Sequence, residues 1–465
     1  MQILYLAVGI AMAAIVFSAR VQVAERFAIA FLILTVAVFP RSIVSIGTLD
    51  PLHVGLAQST ITVMSYHVGI ALALAFYLLR RPRVIKAPAS LTVFMIILVI
   101  FVVFVWGGTS QQWSGVWHLG MALACWPLGV GIASFVASSA QNQLFLARFV
   151  VVILLGELIV SVLQILGFSL PIQLTAGSGE LLVGTERVIG TLGNPANLSK
   201  VSFLLMLALM PLASSDSRRL RRTVLVGIMI ATLIATLTIS RANVIATVLA
   251  LAIWLVLSPG RMSFGQRFSI IIGAGIVVVA TGDSTLARLL SDPEGSIRPQ
   301  LIEGAMEQLN RTFLEGVGIN SYVSVVGQFH ATTATGFPVH NAFLLLLTEL
   351  GPILTAIFLF PLVWLFGRAL VRFFDKTKRD PATITLIAAL PGLVAIMYTG
   401  YGILGSFLLP LLMLVCGLLG DLVKRHDAGD WTGLESPGAA QEKLHLRGRR
   451  STTGRATAHP KESRS

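Results

Sequence analysis

The sequence predicts an all-α, polytopic membrane protein, and three observations carry that expectation. The 465-residue chain is 55% hydrophobic and only 12% charged, where a soluble domain carries about 25% charged residues. Its mean hydropathy is +0.85. Apolar runs recur that suit a membrane helix of about 20 residues, such as "LTVFMIILVIFVVFVW" (residues 91–106) and "LIAALPGLVAIMYTG" (386–400). The alternating ten-residue segments of a transmembrane β-barrel are missing from the sequence.

Candidate spans begin near residues 2, 26, 58, 89, 115, 146, 196, 223, 242, 267, 341, 383 and 403. That makes about 12–13 helices, depending on how one early pair divides. The opening "MQILYLAVGIAMAAIVFSAR" lacks a basic start, so it reads as a first span and not a cleaved signal. Four connecting segments are strongly basic: "RRPRVIK" (80–86), "DSRRLRR" (216–222), "RMSFGQR" (261–267) and "RFFDKTKRD" (372–380). An even number of spans separates each from the next, so the positive-inside rule puts all four in the cytoplasm. The formal charge of +13 is thus spread over short loops and a tail, which suits membrane orientation and gives no sign of nucleic-acid binding. Residues 421–465 are polar and basic, and are expected to form a disordered cytoplasmic tail.

The same parity puts residues 107–118, 167–195, 240–243 and 282–340 on the other, external face. The last is the longest loop, and loops beyond about 15 residues are usually functional or disordered. Ile297, Leu301, Ile302, Ala305, Met306, Leu309 and Phe313 recur within it at helical spacing, which predicts an amphipathic helix over the mouth of the bundle. Three regions follow: N-terminal spans (1–180), a core (181–420) with its external loop (283–340), and the tail (421–465).

Ionisable residues sort by face. Arg187, Arg241, Arg298, Arg311 and His340 all fall outside, where arginine is less common. Together they suit an anionic ligand, because a guanidinium fork matches phosphate oxygens. Each also has a plainer explanation. Arg241 can snorkel to headgroups. Arg298 can pair with Glu294 or Glu303, Arg311 with Glu307 or Glu315, and Arg187 with Glu186. His340 follows Pro338 and precedes Asn341, a natural helix N-cap. A neutral imidazole there can accept a proton.

Glu157 stands mid-span, where a charge is costly, and is expected either to function or to hold two helices together. Glu349, nine residues after His340, points to the opposite helix face, so a direct dyad is not expected. Asp50 is another possible base. Cys125 and Cys416 lie in apolar runs and predict no disulfide framework. No phosphate-binding Gly-Lys loop, zinc-binding His pair or patterned carboxylate cluster appears; Asp283, Asp292 and Glu294 are irregularly spaced. A metal-free mechanism with arginine neutralising charge is the simpler expectation.

Four segments, in order, resemble the O-antigen ligase and polymerase family of bacterial envelope enzymes. They are "RVIGTLGNPANLSKV" from Arg187, "LTISRANVIATVLAL" around Arg241, "SIRPQLIEGAMEQLNRTFLEGVGINSY" around Arg298, and "HNAFLLLLTELG" from His340. The likeness spans about Arg187 to Gly351. It implies a multi-span glycosyltransferase fold of the C type, working without cofactor at the outer face of the cytoplasmic membrane. The donor would be an undecaprenyl-pyrophosphate-linked glycan and the acceptor a glycan or lipid-linked glycan. By the same likeness Arg187, Arg241 and Arg298 would hold and neutralise the pyrophosphate. His340 would deprotonate the acceptor, with Asn194, Asn197, Ser240, Arg311 and Asn341 as further substrate contacts. The sequence departs from the family in "RPQLIEGAM", where the family often has a large or aromatic residue a few positions after the loop arginine, and in having Pro299 beside Arg298. A transporter or flippase for an anionic envelope precursor is the alternative, although no repeated motif pair of the kind transporters carry is seen. A scaffold protein of a cell-wall complex is a third.

Overall fold

The computed structural model describes residues 2–47, 56–85, 88–168, 187–258, 275, 297–375 and 379–428. It is an all-α, multi-span bundle. Its helices are α1 (Gln2–Ser18), α2 (Val21–Ala37), α3 (Ser65–Arg80), α4 (Pro82–Ile85), α5 (Pro88–Phe104), α6 (Ser110–Ser138), α7 (Ala140–Ile165), α8 (Pro195–Leu209), α9 (Arg218–Leu237) and α10 (Arg241–Leu257). The later ones are α11 (Arg298–Thr312), α12 (Tyr322–Val326), α13 (Ala331–Ala334), α14 (Ala342–Phe374), α15 (Pro381–Thr399) and α16 (Leu408–Ala428).

Among the described residues, six helices are long and apolar enough to cross a membrane: α6, α7, α8 with its 3₁₀ extension to Ser214, α9, α14 and α15. Shorter apolar helices accompany them. The expected span near residue 267 lies outside the described residues. So do Asp50, Glu186, Asp283, Asp292, Glu294 and the tail beyond Ala428. Asp421 to Ala428 continue α16, so the expected tail is helical where it begins.

One feature departs from an unbroken helical reading. Residues 42–46 and 61–64 form an antiparallel ribbon, β1 (Ser42–Ile46) with β2 (Ile61–Met64). The third span therefore starts at Ser65, later than expected. The β-branched Ile43, Val44, Ile61, Thr62 and Val63 suit extended backbone.

The helices pack through small residues, as membrane helices do where backbones must approach closely. A Cβ on Gly129 of α6 would meet the Leu414 carbonyl of α16 at 2.1 Å, and one on Gly417 would meet the Trp126 carbonyl at 2.2 Å. On α15, a Cβ at Gly392 would meet the Ala246 carbonyl of α10 at 2.8 Å. The contact brings the C-terminal end of α15 against the start of α10.

At the other end of α15, Asp380 is 1% exposed and pairs with Arg372, 6% exposed, at 3.1 Å. The same carboxylate accepts the N–H groups of Ala382 and Thr383, both at 2.9 Å. One buried acid thus caps α15 and ties it to the end of α14.

Helix α14 is broken inside. Gly351 has φ +67° and ψ 173°, and Pro352 follows it. Pro352 has no N–H for the Thr348 carbonyl. The N–H of Val317 bonds that carbonyl at 2.9 Å, and the N–H of Gly318 bonds Glu349 O at 2.8 Å. The Glu349 side chain also turns toward this segment and accepts the N–H groups of Asn320 (2.8 Å) and Tyr322 (3.2 Å). The connection after α11 is thus fastened to the break in α14. Gly316 and Gly351 meet the facing backbone there: a Cβ on Gly316 would lie 2.5 Å from Glu349 O, and one on Gly351 2.3 Å from Leu314 O.

Candidate functional site

Five chain segments converge on one cavity of about 540 Å³, the last of them the end of α15 with Tyr401 and Gly402 after it. The first is the turn from Arg187 to Asn194. It is anchored to α7 by two side chains. Glu157 accepts the Thr191 N–H at 3.0 Å and also the Thr191 hydroxyl. Gln164 accepts the N–H groups of Ile189 (3.1 Å) and Gly190 (3.0 Å) and donates to Gly190 O (3.0 Å). Glu157 thus ties the Thr191 turn to α7, where the sequence predicts a function or a bond between two helices. Gly190 has φ +56°, and a Cβ there would lie 2.5 Å from the Glu157 carboxylate. Arg187 then reaches across, its Nε–H donating to the Thr238 carbonyl at 3.0 Å.

The second segment starts α8. Asn194 is the N-cap, its Oδ1 accepting from Ala196 N (2.8 Å) and Asn197 N (3.3 Å), with Pro195 at the first helical position. Lys200, 6% exposed, lies within the same helix and lines the cavity. The third is the α9–α10 turn. Ile239 takes φ +50°, an outlier for a β-branched residue. Ser240 and Arg241 follow. Asn243 donates from its amide to Ser240 Oγ (2.9 Å) and to Ala196 O (3.2 Å), which joins the starts of α8 and α10.

The fourth segment brings Arg298, the first residue of α11, and His340, just before α14. Pro299 sits in the first turn of α11, where its missing N–H costs nothing. The His340 Nδ1 lies 3.2 Å from the Pro338 carbonyl. A carbonyl can only accept, so Nδ1 carries the proton and Nε2 of the neutral ring keeps a lone pair. Tyr401, in the connection after α15, stands against the His340 ring.

Among the described residues the cavity is lined by Arg187, Lys200, Arg241, Arg298 and His340, with Asn194, Asn197, Ser240 and Tyr401, and by no acidic side chain. Helices α8, α10 and α11 all begin at it, which adds the partial positive charge of their first turns. Burial holds the His340 pKa below the ordinary histidine value; Arg298 and, to a lesser degree, Lys200 push the same way against the Pro338 carbonyl. The ring is therefore neutral at pH 7. Burial pushes the Tyr401 phenol up to about 12.

Two of the expected site residues stay away from this cavity. Arg311 lies at the far end of α11, about 20 Å along the helix from Arg298. It pairs with Glu307 at 2.5 Å, and its guanidinium lies 3.7 Å from the centre of the Phe329 ring. Asn341 caps α14 by accepting the Leu344 N–H at 3.0 Å and does not line the cavity. Glu349 serves the loop anchor described above and does not line the cavity with the histidine. Conversely, Lys200, Asn243 and Tyr401 were not singled out in the sequence. Lys200 had a legible signal, a lysine inside the apolar stretch that follows "NPAN". Among the described residues, no group of three His, Cys, Asp or Glu side chains could hold a metal ion. No protein-family model matches the chain, and a search of curated proteins finds no significant match.

Proposed function

We propose that the chain is a lipid-linked glycan transferase: it moves or polymerises a glycan from an undecaprenyl-pyrophosphate donor onto an acceptor hydroxyl at the outer face of the cytoplasmic membrane. The observation that carries this reading is the cavity where Arg187, Lys200, Arg241 and Arg298 meet a neutral His340. Cations gathered in one cleft attract an anion. A diphosphate is such an anion, and its oxygens suit guanidinium forks.

In the proposed reaction His340 Nε2 takes the proton of the acceptor hydroxyl as its oxygen attacks the anomeric carbon. The bond from that carbon to the diphosphate oxygen breaks, and the carrier diphosphate leaves with the electron pair. Attack from the face opposite the leaving group inverts the anomeric centre. Negative charge grows on the leaving group in the transition state, where fixed cations act most strongly. The imidazolium then gives its proton to solvent or to the departing diphosphate. Divalent metal is not required, because the four side-chain cations supply the neutralisation.

The test is reconstitution with a lipid-pyrophosphate oligosaccharide in the presence of chelator. Wild type is expected to form glycosidic product, and His340→Ala to lose 10²-fold or more, about the contribution of one general base. Unchanged transfer by His340→Ala would overturn the assignment of the base. Passage of intact donor across the bilayer without a new glycosidic bond would make the chain a transporter.

A further inference from the structure

A second basic cleft lies at the other end of the bundle, lined by Arg26, Gln141, Leu144, Phe145, Arg148, Phe149, Val152 and Arg219. Helix α9 fixes its place. It begins at Arg218, beside the cleft, and ends at Leu237, next to the Thr238 carbonyl that holds Arg187. Twenty residues at about 1.5 Å each make about 30 Å, the thickness of a bilayer core. The cleft and the candidate site therefore face opposite membrane surfaces.

The cleft has a volume of about 580 Å³, and none of its described lining residues is acidic. One of its cations is set in place: Arg26 donates to Asn142 Oδ1 at 3.0 Å, and its guanidinium lies 5.6 Å from the centre of the Phe145 ring. Asn142 is itself held by Ser138 Oγ (2.9 Å) and the Phe135 carbonyl (3.2 Å). The Arg26 Nε is buried and has no hydrogen-bond partner. Phe145 and Phe149 stack with their planes 8° apart. Arg148 tops one face of α7, and that face continues as an exposed apolar stripe of Val152 (64%), Leu155 (43%) and Ile159 (52%). Cations at headgroup depth thus run straight into a lipid-facing apolar path. A soluble anion would use only the first of these features.

We infer that this cleft binds an anionic phospholipid of the leaflet opposite the candidate site. Its phosphate sits among Arg26, Arg148 and Arg219, and an acyl chain lies along the Val152, Leu155 and Ile159 stripe. This inference does not rest on the transferase reading.

The test counts bound lipid by native mass spectrometry. The purified full chain, in zwitterionic detergent, is titrated with phosphatidylglycerol or with phosphatidylcholine. Wild type is expected to retain phosphatidylglycerol preferentially. A basic residue near a membrane surface contributes about a factor of five in affinity, so Arg148→Ala with Arg219→Ala is expected to lower that retention roughly tenfold or more. Arg218→Ala with Arg222→Ala makes the same charge change at the same end, outside the cleft, and is expected to leave most of the retention. Arg148→Lys with Arg219→Lys, which keeps the charge, guards against loss of fold and is expected to bind more than the alanine pair. Equal retention of the two lipids by wild type, or an equal loss in the control pair, would overturn the inference.

Discussion

The His340 ring stands edge-on to Tyr401, with the planes at 90° and the centroids 5.5 Å apart. Nδ1 is directed at the Pro338 carbonyl, so the rotation of the ring is set from two sides. The residue lines a cavity crowded with cations, a setting that disfavours a second proton on the ring.

The pH dependence follows from the sign of that environment. Burial, Arg298 and Lys200 all lower the His340 pKa from its ordinary value near 6.5. Activity is then expected to be full at pH 7 and to fall on the acid side as the ring protonates, with a midpoint below 6.5. Arg298→Gln removes a positive charge, favours the protonated ring, and moves the acid limb to higher pH, on top of a lower rate. A pH–rate profile of both proteins checks this. An unmoved limb would separate Arg298 from His340.

Lys200 offers a second prediction. Its amine is near Gly402, where an added Cβ would lie 2.7 Å from Nζ. Lys200→Met keeps the length of the side chain and removes the charge. If the amine stabilises the departing diphosphate, kcat/KM is expected to fall by about 10²–10³, the loss seen when one transition-state donor is deleted. Lys200→Arg is expected to recover part of it. Gly402→Ala is expected to lower activity more mildly by displacing the amine.

Stability is most exposed at Asp380. Its carboxylate answers the buried Arg372 and caps α15 at once. Asp380→Ala leaves Arg372 buried without its counter-charge and is expected to cost about 3–5 kcal/mol. Asp380→Asn keeps an acceptor for the cap and is expected to cost less. Thermal unfolding in detergent, followed by circular dichroism, ranks the two.

Much of the bundle was legible because composition and run length are strong signals for a helix in lipid. The ribbon was not: Ser42–Ile46 and Ile61–Met64 are as apolar as the spans around them and too short for a period to stand out. At the candidate site, Arg187, Arg241, Arg298 and His340 were recognisable from the face they share. Arg311 shared the face too, but its distance along α11 outweighed it, and the Glu307 partner four residues earlier was visible in the sequence. Lys200 was hidden by its apolar neighbours, although the rule that drew attention to Glu157 applies equally to it. Tyr401 and Asn243 carry no charge: the first is brought in by the folding of α15 against α10, the second by the contact of α10 with the start of α8.

The fastening of the long connection to α14 gives the last prediction. Glu349 accepts two backbone N–H groups, and Gly351 opens the helix so that two carbonyls accept two more. Arg298 and His340 stand on either side of the fastened segment, so their separation depends on it. Glu349→Ala strands two buried N–H groups, each costing about 1–3 kcal/mol. Gly351→Ala meets both a positive φ and the Leu314 carbonyl at 2.3 Å. Neither residue lines the cavity, so a direct chemical role is not the cause of any loss. Both variants are expected to raise amide hydrogen exchange across residues 313–322 and to lower transfer, while the helices of the bundle stay protected. Glu349→Gln, which keeps one acceptor oxygen, is expected to fall between wild type and Glu349→Ala in both measurements. Loss of activity without faster exchange in that segment would show that Glu349 acts other than by holding the loop.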